Sequence, residues 1–86
     1  MSFSIEYDKQ PLHFLRKLDK QPAKRILDKI DELLLVAAFP HQAKTIIGEH
    51  GVFRIRIGDY RALYRVNYSV QKIVIFKIEK RAKVYN

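Results

Sequence analysis

The sequence predicts a single α+β domain in the order β-α-α-β-β-β, a small, largely antiparallel sheet with a helical hairpin packed on one face. Three observations carry this expectation. Apolar residues alternate with polar ones at the N-terminus, the tetrapeptide DKQP opens two stretches of helical periodicity, and three alternating runs separated by turn residues come after position 51. Eighty-six residues suffice for one core, so the domain is expected to span residues 1–86.

Each element has its own warrant. Phe3, Ile5 and Tyr7 alternate with Ser4 and Glu6, the period of a short strand. At Asp8–Pro11 and again at Asp19–Pro22 an Asp is placed to cap a helix, and the Pro falls in the first turn, where its missing N–H does no harm. The residues after the two copies differ, so the copies mark two helix starts rather than a repeat. A first helix over about 9–18 puts Pro11, Phe14, Leu15 and Leu18 on one side. A second over about 21–38 sets Ala23, Ile26, Leu27, Ile30, Leu33, Leu34 and Ala37 at helical spacing. Its other side carries Lys24, Arg25, Asp28, Lys29, Asp31 and Glu32, a solvated face of mixed sign. With only a capping turn between them, the two helices form a hairpin. Pro40 ends the second, and residues 40–51 read as a loop bounded by Gly48 and Gly51. Phe53, Ile55 and Ile57 then alternate with Arg54 and Arg56, Gly58–Asp59 makes a hairpin turn, and Ala62, Tyr64 and Val66 alternate with Arg61, Leu63 and Arg65. After a turn near Ser69, Ile73 to Ile78 is apolar on both faces, as an interior strand is.

Composition narrows the function. The chain has no cysteine, which excludes disulfides and thiolate metal sites and suits a reducing cytoplasm. The N-terminus breaks into charge too early for a signal peptide, and the longest apolar run, Leu33 to Phe39, is too short to span a bilayer, so no membrane partner is expected. Net charge is +8 and unevenly placed: residues 1–50 carry eight Lys/Arg against seven Asp/Glu, residues 51–86 nine against two. A basic C-terminal half suggests a face for a polyanion, although a merely soluble basic surface gives the same count.

Motifs for other chemistries are missing. His13, His41 and His50 are isolated, without metal-ligand spacing, and read as surface histidines; no metal or other cofactor is expected. Ser2, Ser4 and Ser69 have no base at a suggestive spacing, and three glycines make no phosphate loop. The basic constellation remains: Arg54, Arg56, Arg61, Arg65, Lys77, Lys80, Arg81 and Lys83, with Tyr60, Tyr64 and Tyr85 among them. Strand parity sends Arg54, Arg56 and Arg61 to one face, away from the helices. A solvated sheet face with arginine stems over apolar neighbours is the plain alternative. Against it, the guanidinium fork matches phosphate oxygens bidentately and tyrosine rings stack on bases, which favours a phosphodiester.

The segment VFRIRIGDYRALYRV, with its F-R-x-R-x-G-x-Y-R-x-x-Y pattern, and the tail RAKVY resemble the RelE/ParE superfamily of toxins from type II toxin–antitoxin pairs, in the compact archaeal RelE-like form. The likeness covers nearly the whole chain. It implies the RelE-like microbial ribonuclease fold and a ribosome-dependent endoribonuclease, an mRNA interferase that inhibits translation by cleaving mRNA in the ribosomal A site without a metal. The 2′-hydroxyl attacks the adjacent phosphate, leaving a 2′,3′-cyclic phosphate or 3′-phosphate and a 5′-hydroxyl. The resemblance assigns catalysis to Arg54, Arg61, Arg81 and Tyr85. Arg61 and Arg81 are expected to hold the scissile phosphate, Arg54 to aid activation of the 2′-hydroxyl, and Tyr85 to act as acid or base or to stack on the base. Arg56, Arg65, Lys77, Lys80 and Lys83 are expected to bind RNA or ribosome. The chain departs from the family where Arg54 and Arg56 stand at positions often held by lysines, and an arginine is a weak general base at neutral pH. The implied partners are a cognate RelB-like antitoxin, the ribosome and mRNA. A ParE-like inhibitor of DNA gyrase, or a non-catalytic nucleic-acid-binding homologue, uses the same charge without placing a 2′-hydroxyl.

Overall fold

A computed structural model of the chain describes residues 3–34, 43–45 and 51–81, the strand 43–45 by its backbone alone. The elements run β1 (Ser4–Tyr7), α1 (Lys9–Lys17), α2 (Lys20–Leu34), β2 (Ala43–Thr45), β3 (Val52–Ile57), β4 (Tyr60–Asn67) and β5 (Lys72–Lys80). Five strands form one sheet in the order β1-β5-β4-β3-β2, parallel between β1 and β5 and antiparallel elsewhere. The expected order holds, with one addition. Inside the segment read as a loop, β2 pairs with β3 as a short edge strand. The second helix is described to Leu34; the stretch from 35 to 39, where helix was also expected, lies outside the described residues.

The helices start where the two DKQP copies place them. Asp8 occupies the N-cap of α1 with extended backbone, but its side chain makes no capping bond; its carbonyl accepts the Leu12 N–H at 3.3 Å, and the Asp19 carbonyl accepts the Ala23 N–H at 3.1 Å. Ile26, Ile30 and Leu34 repeat along α2 and are buried, as is Leu15 of α1. They pack on Ile55, Ile57, Ala62, Tyr64, Ile73, Ile75 and Ile78, the inward residues of the three central strands. Removing each such Ile or Leu side chain from water contributes roughly 1.5–3 kcal/mol. Gly58 takes φ +59° in the two-residue β3–β4 turn, a value that favours glycine there.

At one point a side chain replaces a strand. β1 ends at Tyr7, opposite Ile75, and the Asp8 N–H donates to the Ile75 carbonyl at 2.9 Å. In the first turn of α1, Gln10 Nε2 donates to the Ile78 carbonyl at 2.9 Å while the Ile78 N–H donates to Gln10 Oε1 at 2.8 Å. The amide thus satisfies both backbone groups of Ile78 past the end of β1 and fixes α1 against the sheet. Gln10→Glu removes the donor and sets a carboxylate against a carbonyl oxygen. We expect urea unfolding to show a loss of about 1–3 kcal/mol at neutral pH, partly recovered below about pH 4, where the carboxyl regains a proton. An unchanged midpoint would show that the amide bridge contributes nothing.

Candidate nucleic-acid interface

The outer face of the sheet, opposite the helices, is read from the register. Arg56 pairs with Arg61, which pairs with Glu79, making one row across β3, β4 and β5. Arg54 pairs with Leu63, which pairs with Lys77, making the next. Val52, Arg65 and Val74 form a third. Directly paired side chains sit about 5 Å apart at Cβ and diagonal ones about 7–8 Å. Arg54 and Arg61 are such diagonal neighbours.

Several partners shape these cations. Arg61 Nε donates to Glu79 Oε2 at 2.5 Å, and Lys77 Nζ lies 3.5 Å from Glu79 Oε1. The guanidinium of Arg65 stacks over the Phe76 ring at 4.1 Å, and Lys72 pairs with Glu6 at 2.9 Å toward β1. Arg81 comes directly after β5: its N–H donates to the Asp59 carbonyl at 2.7 Å, and its Nη1 donates to the Gly58 carbonyl at 3.2 Å. Asp59 is two residues before Arg61 on the chain, so Arg81 stands diagonal to Arg61, with its side chain drawn toward the β3–β4 turn. Arg54, Arg56, Arg61, Arg65, Lys77 and Arg81 therefore lie on or beside one surface.

Other sequence candidates fall elsewhere. Lys80 pairs with Tyr60, the parity of the helix side, and is exposed at the strand end rather than among the arginines. Tyr60 packs edge-on against Phe14 of α1 with ring centroids 5.9 Å apart, and Tyr64 is fully buried beside Phe53, so neither ring is presented to a base on the arginine face. Burial also pushes the Tyr64 hydroxyl well above the usual phenol range. Lys83 and Tyr85 lie outside the described residues.

Sequence reasoning missed Glu79 and the apolar part of this face. Leu63, Val74 and Phe76 share it with the arginines, and Val52 on it is only 4% exposed. A register shift at Leu63/Tyr64 moves the partner from Lys77 to Ile75, so Phe76 and Lys77 together span the bulge and inward parity resumes at Ile78. A strict two-residue period through Ile73 to Ile78 misplaces Lys77 for that reason. The only signal for Glu79 was an acid in an otherwise basic strand.

Chemically, the rows set several guanidinium groups, each able to engage phosphate oxygens, on one face of adjacent strands, with a single carboxylate among the described residues of those rows. Residues 5–85 match the family model for the ParE toxin of the type II toxin–antitoxin system parDE. The chain is 32% identical over 88 residues to the Methanocaldococcus jannaschii protein named "Putative toxin RelE1", covering 99% of this chain and 97% of that one. It is similar to the archaeal RelE–RelB complex from Pyrococcus horikoshii OT3, at 28% identity and TM-score 0.81, covering 98% of this chain and 100% of that one. The RelBE2 toxin–antitoxin complex of Mycobacterium tuberculosis shares the fold at TM-score 0.81 and 22% identity, covering 96% of this chain and 95% of that one. Two helices on one face of a mixed sheet with an arginine-bearing hairpin, matched over almost the full length, place the chain in the RelE/ParE superfamily as a RelE-type toxin of a type II toxin–antitoxin system.

Proposed function

We propose that this toxin is an endoribonuclease that cleaves mRNA in the ribosomal A site, by attack of a 2′-hydroxyl on the adjacent phosphate, and so inhibits translation. The observation that carries the reading is the gathering of Arg54, Arg56 and Arg61 in two adjacent rows of the outer face. Negative charge builds on the phosphorane during in-line attack, and fixed guanidinium groups stabilise it more than they stabilise the ground state. In this scheme Arg61 and Arg54 hold the scissile phosphate, while Arg56 and Lys77 bind flanking phosphate or ribosomal RNA. Arg65 extends the track one row further and Arg81 closes it at the turn; Lys83 and Tyr85 are assigned to it by resemblance alone. Arginine supplies the positive charge, so the scheme requires no metal.

The proposed partners are the ribosome with its mRNA and an antitoxin. The Pyrococcus horikoshii relative is a RelE–RelB complex. A RelB-like chain with acidic groups and apolar anchors matches an outer face on which Leu63, Val74 and Phe76 lie among cations. Among the described residues no helix is long and apolar enough to cross a membrane, and a ribosome-directed toxin acts in the cytoplasm.

A second reading has its own support. The matching family model is the ParE one, and a ParE-like protein inhibits DNA gyrase. Both activities are tested with the same preparation. The ribonuclease reading predicts cuts within the A-site codon of mRNA on programmed ribosomes and no effect on gyrase supercoiling at equal concentration. Supercoiling arrest with intact mRNA would reverse the assignment.

A further inference from the structure

We infer that Glu79 is the general base of this reaction, taking the proton of the 2′-hydroxyl while Arg61 holds both the carboxylate and the scissile phosphate. The inference rests on the ribonuclease reading proposed for this toxin. It starts from a cost. An acid in the arginine rows repels a polyanion and occupies one of the forks that would bind it, so a face shaped only for affinity gains nothing from Glu79. Yet Glu79 is built in: two cations from β4 and β5 clamp it, and its side chain is only 28% exposed.

Proton acceptors are otherwise scarce in these rows. Arginine and lysine carry no free lone pair when charged. Tyr60 and Tyr64 face the helices. Glu6 sits on the far strand β1, tied to Lys72, and Asp59 is in the exposed turn. Among the described residues, Glu79 alone combines a carboxylate with a position in the same row as Arg56 and Arg61.

Geometry supplies the division of labour. Arg61 meets Glu79 through Nε, which leaves the two Nη groups on the other edges of the guanidinium for a phosphate. A phosphodiester seated there has its ribose beside the carboxylate. Glu79 Oε1, the oxygen held more loosely by Lys77 at 3.5 Å, accepts the proton. The 2′-oxygen then forms its bond to phosphorus as the bond from phosphorus to the 5′-oxygen breaks. That oxygen leaves with the electron pair and takes a proton from water. The products are a 2′,3′-cyclic phosphate and a 5′-hydroxyl, and Glu79 returns its proton to solvent. The requirement for a base that no arginine meets well is thereby met by a carboxylate that an arginine orients.

The test compares wild type, Glu79→Gln and Glu79→Asp in single-turnover cleavage of mRNA on programmed ribosomes, across a pH series, with ribosome affinity measured in parallel. Glu79→Gln should lose about a hundredfold or more in rate, bind ribosomes as well as or better than wild type, and lack the fall in rate toward acid pH that this role requires of wild type. Glu79→Asp should keep part of the rate together with that acid limb. A Gln variant that cleaves as fast as wild type, or faster, overturns the inference and leaves the carboxylate as a competitor of phosphate at Arg61. A loss matched by equal loss of ribosome binding, with the acid limb retained, makes Glu79 structural. If wild type itself makes no cuts, the ribonuclease reading fails first and the base assignment with it.

Discussion

Arg61→Ala should cleave ribosome-bound mRNA about 10²–10³-fold more slowly than wild type, the loss seen when one fixed donor to a developing oxyanion is removed. Arg54→Ala should show a loss of the same order. The two residues are diagonal neighbours on one face, so their effects converge on a single phosphate and should not multiply: the double variant should fall short of the product of the singles. Arg61→Lys is informative in the other direction. It keeps the charge but loses the planar fork that engages Glu79 and phosphate together, and should recover only a small part of the rate. Each of these variants alters a partly exposed side chain outside the core, so each should melt within about 5 °C of wild type. Single-turnover cleavage with a parallel melting curve separates the effects. Wild-type rates from both alanine variants would detach the arginine face from catalysis.

The stability of the domain should depend on a different set. Tyr64 is fully buried at the centre of the sheet, tilted against Phe53 with ring centroids 5.6 Å apart, and backed by Ile30, Ile55 and Ile75 within the same cluster. Tyr64→Ala leaves a ring-sized cavity, at a cost of about 3–5 kcal/mol. Domains of this size hold little more than that in reserve. We expect the melting midpoint to fall by about 20 °C or more, with activity lost only because the protein unfolds. Tyr64→Phe keeps the ring and should be far milder. A Tyr64→Ala protein that melts like wild type would contradict the core assigned here.

How far the sequence reveals this molecule depends on the range of each force. β1, the two helix starts and the β3–β4 hairpin rest on local signals: alternation, an Asp before a Pro, a Gly-Asp turn between strands. β2 is three residues long and exists by pairing with β3, so no period could reveal it. The arginines of β3 and β4 were legible by parity because those strands are regular up to Leu63. β5 was not, because the bulge at Leu63/Tyr64 puts Phe76 and Lys77 out of step with a simple alternation. Tyr64 is inward by that same regular alternation, although it stands next to Arg65 in the sequence. The Arg61–Glu79 contact joins residues 18 apart across two strands, and only the register brings them together.

Every catalytic role proposed for this toxin requires a phosphodiester among the guanidinium groups of the outer face. Titrating the protein with a short single-stranded RNA while recording the arginine Nε–Hε resonances tests it most directly. Shifts are expected at Arg54, Arg56 and Arg61, with Arg61 moving as phosphate joins Glu79 on its guanidinium, and no movement at Arg16 of α1 or Arg25 of α2, which lie in the helices. Shifts confined to those helix arginines, with Arg54 and Arg61 unmoved at saturation, would contradict it.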